Sequence, residues 1–257
     1  LPLGGSNEIG MNLNLYHFAG KWLMVDLGIT FGDDSTPGIE VLVPDPSYIE
    51  AQKENLLGIF ITHGHEDHIG AIPYLCERLN CPIYATPFTM SLIRRKLSDV
   101  NVLDKIELIE VPFSKKIELG PFILEFISLT HSIPDPSGIL IKCGDYSIFH
   151  TGDWKFDEQP LVGDASDITK LKEFGDRGVL ALIGDSTNSL TPGKSGSEGE
   201  VRDILLDSAQ PIYVKSYEQY EFTLRRAQIV HTILGTGPKF VIEALGIASI
   251  SVLAYVM

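Results

Sequence analysis

Three apolar runs of strand length open the chain, separated by turn signals: MNLNLYHF at 11–18, KWLMVDLG at 21–28 after Gly20, and LLGIFITH at 56–63. The last two end in polar residues. IGAIPYLCERL (69–79) then carries apolar positions at helical spacing, CPIYAT (81–86) reads as a short strand, and TMSLIRRKL (89–97) as a second helix. Strand, turn and helix in this alternation predict a layered α/β domain.

From Lys105 onward the pattern changes to short strands with Pro and Gly between them: IELIEV (106–111), KKIELG (115–120), FILEFISLTH (122–131) and GILIKCG (138–144). They predict a second, more antiparallel sheet. SIFHTGDW (147–154) and VLALIGDSTN (179–188) each end an apolar run on an acidic residue followed by small or polar ones. The Gly- and Ser-rich TPGKSGSEGE (191–200) reads as a loop or domain junction, and residues 201–257 as helix, strand (PIYVKSY), helix and strand.

A chain of 257 residues with 44% hydrophobic side chains holds one large α/β domain, or one domain and part of a second. Its formal net charge of −14 provides no global positive field to gather polyanions, so nucleic acid would need a local basic groove or bound cations. Cys76, Cys81 and Cys143 fit neither a CxxC metal site nor a disulfide framework, and are expected to be buried, reduced thiols. The start, LPLGG, lacks the charged and then apolar segments of a signal peptide. The apolar stretch from Ala244 to Met257, bordered by Glu243, is shorter than the ~20 residues of a bilayer span and predicts a buried element, not an anchor.

The chemistry concentrates in HGHEDH, His63 to His68. An isolated histidine in a turn is usually a solvated surface residue, but this spacing at the end of an apolar strand is a ligand pattern. His63 and His65, at i and i+2, project to one side of an extended segment. Asp67 and His68 follow where the chain turns into a helix and can aim at an adjacent point, so one turn supplies two metal sites. Mixed imidazole and carboxylate ligation suits zinc or manganese, and two such ions form the clamp used in phosphoester hydrolysis, with a bridging hydroxide as nucleophile. Further ligands are expected at other strand ends: His131 in SLTHSIPD, Asp153 in FHTGDW, Asp26 in MVDLG and Asp185 in LIGDSTN. His17, His150 and His231 are read as structural or surface residues. The spacing of His150 from Asp153 turns its side chain away from that carboxylate on an extended strand.

Taken together, Asp26, the HxHxDH motif, His131 and Asp153 resemble the metallo-β-lactamase superfamily. PLGGSNEIGMN, DLGITFGDDSTPGIEVLVPD, FITHGHEDHIGAIPYL, IRRKL, THSIPD, HTGDWKFD and DSTN resemble more closely the bacterial ribonucleases J, a β-CASP group within it, over residues 1 to about 200. The resemblance implies an α/β fold: a four-layer αββα sandwich over 1–195 without its C-terminal return segment, then the start of an inserted α/β β-CASP domain, partial or divergent, over 196–257. It implies that His63, His65 and His131 hold one divalent ion, Asp67 and His68 the other, that Asp153 bridges them, and that Asp26 orients the ligands. Asp185 corresponds to the first β-CASP motif. The implied activity is metal-dependent cleavage of RNA, internally and from a 5′-monophosphorylated end, in the cytoplasm, with a homo-oligomer left open. The later β-CASP motifs, one of which completes the second metal site, are not found up to Met257; SYEQYEF and PKFVIEALGIAS stand where others belong. A second metal site lacking a ligand is therefore expected. Two alternatives stay open: a metallo-β-lactamase-fold hydrolase of a small ester or thioester, and a metal-binding but inactive remnant.

Overall fold

The computed structural model describes residues 1–193 and 195–208. The strands and helices expected beyond 208, the apolar stretch from Ala244, most of the β-CASP segment and His231 lie outside the described residues. In chain order the elements begin with β1 (Pro2–Gly4), β2 (Leu13–Phe18), β3 (Lys21–Val25), β4 (Thr30–Phe31), β5 (Val41–Leu42), α1 (Ser47–Glu50) and β6 (Leu56–Phe60). There follow α2 (Glu66–Ile69), α3 (Ile72–Leu79), β7 (Ile83–Ala85), α4 (Pro87–Asp99), β8 (Leu108–Glu110), β9 (Lys116–Leu119) and β10 (Phe122–Ser128). The series closes with β11 (Ser137–Cys143), β12 (Tyr146–His150), α5 (Ile168–Arg177), β13 (Ala181–Ile183) and α6 (Glu198–Ser208). Residues Leu1–Glu200 form one compact unit.

One sheet has the order β1-β2-β3-β6-β7-β8 and the other β13-β12-β11-β10-β9. In the first, β3, β6, β7 and β8 run parallel, with the crossovers that parallel neighbours need made through β4, β5 and α1 between β3 and β6, α2 and α3 between β6 and β7, and α4 between β7 and β8. IELIEV, expected in the second sheet, forms β8 at the edge of the first, paired parallel with β7. The crossover through α4 returns the chain to the first sheet; the change of sheet comes only after Val111. In the second sheet β9 to β12 are antiparallel, as expected, whereas β13 joins parallel to β12 through α5. Helix α5 had no sequence forecast: its one buried residue is Phe174, too little apolar signal to stand out, and Asp167 caps its start by accepting from Lys170 N at 3.0 Å.

Three apolar clusters separate four layers. Trp22 and Met24 of β3 face the helices with Ile59, Ile83, Leu75 and Ile93, while Leu23 and Val25 face the second sheet with Phe60, Phe122, Phe126 and Ile141. That is the two-residue period of a strand buried on both faces. Phe60 stacks on Tyr84 across this inner layer with ring centroids 4.5 Å apart. On the far face of the second sheet, Ile127, Leu129, Leu140 and Phe149 pack against Phe174 of α5. Helix, sheet, sheet, helix is the αββα sandwich expected. Cys76, Cys81 and Cys143 are buried and free, and no helix among the described residues is long and apolar enough to cross a membrane.

Candidate metal centre

The parallel strands of the first sheet share one C-terminal end, where α/β sheets carry their functional loops. Asp26 follows β3 there, Thr62 and His63 follow β6, and the second sheet brings His131 after β10 and Asp153 after β12 to the same end. Thr62 ties these loops together. Its N–H and hydroxyl donate to the Asp26 carboxylate at 2.8 and 2.9 Å, and its carbonyl accepts from Ser137 N and Oγ of β11 at 2.9 and 2.7 Å. The His131 and Asp153 loops are joined to each other through Lys155 N, which donates to the Thr130 carbonyl at 2.9 Å.

Glycine at position 28 permits a close approach. A Cβ there would lie 1.5 Å from the carbonyl oxygen of Asp67, so any side chain would push α2 away. Instead Leu27 N donates to the His68 carbonyl at 2.8 Å, and Asn12 N to the Asp67 carbonyl at 3.1 Å, fixing the short helix that carries both residues.

Two sets of donor atoms converge. His63, His65 and His131 form one, and His63, His68 and Asp153 the other, with the ligand atoms of each set within 4.8 Å of one another. His65 Nδ1 stands 3.0 Å from His63 Nε2 and 3.2 Å from His131 Nε2. Around His68 Nε2, Asp153 Oδ1 lies at 3.3 Å and Asp67 Oδ2 at 3.5 Å. Donors 2.0–2.1 Å from a tetrahedral ion stand about 3.4 Å apart, so the spacing of these residues suits a divalent ion of zinc's size. Asp153 Oδ2 faces the other way, 3.7 Å from His131 Nε2.

The two sets differ electrostatically. Burial, then the neighbouring imidazoles, hold His63 well below the ordinary histidine value, and burial likewise lowers His65 and His131. These are neutral imidazoles, the form that ligates metals. Burial also opposes charge on His68, but Asp26 and hydrogen bonds to Asp153, Asp26 and Asp67 outweigh it and hold its pKa well above the ordinary value. For Asp67 and Asp153 burial pulls upward and the hydrogen bond to His68 overcomes it, leaving both carboxyls low. A buried positive charge among three carboxylates marks a place suited to a cation.

Asp26 is fully buried at φ +64°, and its Oδ2 lies 2.8 Å from His68 Nδ1. That contact keeps the Nδ1 proton on the Asp26 side and turns Nε2 toward the donor set. Asp185 follows β13, exposed, outside both donor sets; its carboxylate accepts from Thr187 N and Oγ1 at 2.7 and 2.6 Å, and its charge reaches His131. Asn12 and Thr62 had no sequence forecast: nothing in a lone Asn or Thr signals that Asn12 Nδ2 will lie 3.2 Å from His68 Nε2.

His150, expected to be a structural or surface residue, is buried and lies outside both donor sets. The extended strand ends at His150 and Gly152 takes φ +60°, so strand alternation does not govern the step to Asp153. The ring is buried behind the centre, its Nδ1 2.7 Å from Tyr16 Oη and its Nε2 4.0 Å from Asp26 Oδ2, and Asp153 acts on its charge. His17, by contrast, packs beside Trp22 with ring centroids 4.4 Å apart, as a structural residue.

A sandwich of this layering, with histidine and aspartate donors at one end of both sheets, defines a class, and residues 14–221 match the family model described as the metallo-β-lactamase superfamily. The chain belongs to the metallo-β-lactamase superfamily. Among curated relatives it is similar to ribonuclease J of Sinorhizobium meliloti, 41% identical over 209 residues that make up 80% of this chain and 37% of the relative. It is also similar to ribonuclease J2 of Bacillus subtilis, 33% identical over 258 residues, 99% of this chain and 46% of the relative. The chain thus spans less than half the length of these relatives. A solved protein of unknown function from Enterococcus faecalis V583 shares the fold, with a TM-score of 0.51 at 14% identity over 77% of this chain and 52% of that one.

Proposed function

We propose that this chain carries a dinuclear metal centre and hydrolyses phosphodiester bonds of RNA in the cytoplasm. Asp153 carries the reading: its Oδ1 is 3.3 Å from His68 Nε2 and its Oδ2 3.7 Å from His131 Nε2, the separation of two oxygens over two donor sets that a bridging carboxylate needs. In this reading His63, His65 and His131 hold one ion, Asp67 and His68 the other, and zinc or manganese suits the mixed donors. Bound ions supply Lewis acidity to phosphoryl oxygens and lower the pKa of water near them.

The chain's own residues bind and orient. Asp26 holds the His68 ring by its Nδ1 proton, and α2, pinned by Leu27 and Asn12, presents Asp67 beside it. Bound cations also offset the net charge of −14 toward a polyanionic substrate. RNA, in preference to a small ester, is supported by identities of 33–41% to curated ribonucleases J. The β-CASP domain is proposed to begin near residue 196, with Asp185 on its approach.

The test is metal stoichiometry by elemental analysis, followed by cleavage of a 5′-monophosphorylated RNA with manganese or zinc and with chelator, using His65→Ala as control. One tightly bound equivalent of metal, a second bound more weakly for want of a ligand, and chelator-sensitive cleavage absent from the control are expected. Metal uptake with no metal-dependent cleavage would overturn the nuclease reading for this chain and leave the inactive alternative.

A further inference from the structure

Behind Asp26, a polar pair crosses the apolar layer between the sheets. Tyr16 comes from β2 of the first sheet and packs on the inner core with Phe60 and Phe126; His150 comes from β12 of the second and is buried. A Phe and a Leu of similar size would fill this layer without the cost of desolvating a hydroxyl and an imidazole. What the polar pair adds is direction. Tyr16 Oη and His150 Nδ1 lie 2.7 Å apart, and the arrangement that turns a proton and not a lone pair toward the Asp26 carboxylate is the one in which the Tyr16 hydroxyl donates to His150 Nδ1. A neutral imidazole that accepts at Nδ1 carries its proton on Nε2. That N–H then stands on the Asp26 side, with Nε2 4.0 Å from Oδ2, beyond hydrogen-bond length but in surroundings of low polarity where dipoles act strongly. In the other tautomer a lone pair would face the carboxylate.

We propose that Tyr16 and His150 are positioning residues of the metal centre: Tyr16 sets the His150 tautomer, His150 Nε2–H steadies the Asp26 carboxylate, and Asp26 in turn aims His68. The chain of contacts is Tyr16 Oη to His150 Nδ1 at 2.7 Å, His150 Nε2 to Asp26 Oδ2 at 4.0 Å, and Asp26 Oδ2 to His68 Nδ1 at 2.8 Å. The proposal rests on the metal-centre reading above, not on the choice of RNA as substrate.

The experiment titrates the whole chain with cobalt(II) against a chromophoric chelator and records the visible cobalt spectrum, with circular dichroism as the folding check. The proteins are wild type, His150→Phe, His150→Gln, Tyr16→Phe and the Tyr16→Phe/His150→Phe double variant. Loss of a partner behind a ligand typically weakens metal binding about tenfold or more, so His150→Phe is expected to lose about tenfold at one site with an altered spectrum. His150→Gln keeps a donor at the Nε2 position and is expected within about threefold of wild type on the same scale. Tyr16→Phe is expected to cost about threefold alone and nothing further beside His150→Phe, since it acts through His150. Wild-type affinity and spectrum in folded His150→Phe overturn the proposal, as does an equal Tyr16→Phe cost in both backgrounds. Should His150→Phe fail to fold, wild-type behaviour of Tyr16→Phe overturns it instead. No cobalt binding by wild type overturns the metal-centre reading and the brace together, whereas binding without RNA cleavage overturns the ribonuclease reading alone.

Discussion

The two donor sets of the candidate metal centre are built differently. His63, His65 and His131 are neutral imidazoles gathered from loops of two sheets, and His65 and His131 are partly open to solvent. His68 is buried on a short helix, tied through Asp26 to Thr62 and flanked by Asp67 and Asp153. The first half gathers its donors by loop geometry; the second is organised by charge inside the fold. The difference teaches where each half is vulnerable: the imidazole half to loss of a ligand, the carboxylate half to changes behind the ligand.

The largest expected effect is on the imidazole half. His65→Ala removes the nitrogen that lies 3.0 and 3.2 Å from its two partners, and RNA cleavage should fall at least about a hundredfold, with one equivalent of metal lost in elemental analysis. Cleavage near the wild-type rate would show that this set does not hold a working ion.

Acid tests the carboxylate half in the metal-free protein. His150 has its pKa lowered from 6.5 to about 4 by burial, so between these values the unfolded chain binds more protons than the folded one. The stability from keeping this ring neutral is present above the unfolded value and is lost as pH falls toward about 4, a loss on the order of 3 kcal/mol. Urea midpoints of chelator-treated wild type between about pH 7 and about pH 5 should fall more steeply than those of His150→Phe. Equal slopes would place the acid sensitivity elsewhere.

Gly28→Ala tests the backbone beneath both halves. The added Cβ would lie 1.5 Å from the Asp67 carbonyl and 2.7 Å from His68 N, so destabilisation of about 3 kcal/mol is expected, read as a lowered melting temperature. A wild-type melting temperature would mean that α2 yields freely. The smallest effect sharpens the comparison most. Asparagine tolerates the left-handed backbone of position 26, so Asp26→Asn preserves the chain path and removes the charge. Metal affinity of the His68 half should fall about tenfold while the imidazole half stays within about threefold, measured by the same chelator competition.

Much of the site was legible in the sequence because metal ligation demands particular residue types at strand ends. HGHEDH offers four candidate donors, of which His63, His65 and His68 fall in the converging sets, joined by His131 and Asp153 from the ends of other apolar runs. The strands and the change to a second, antiparallel sheet were legible from the apolar runs and the turn residues between them, whereas the four-layer order was what the family resemblance implied. Where the reading went astray, local pattern did not carry the information. IELIEV looks like its antiparallel successors, and only the α4 crossover assigns it to the first sheet. DITKLKEFGDR buries one side chain, so helix α5 left little apolar trace.

By itself, then, the sequence determined a layered α/β domain with a second, antiparallel sheet and which side chains are chemically able to bind a cation, since period and residue type are local properties; the αββα order was what the family resemblance implied. The tertiary structure alone decided the rest: that Asp153 directs one oxygen to each donor set, that Thr62 joins loops of both sheets, and that Tyr16 and His150 meet across 134 positions of chain behind Asp26. Those relations depend on how two sheets pack, and a buried hydroxyl or carboxylate finds its partner only once packing has excluded water.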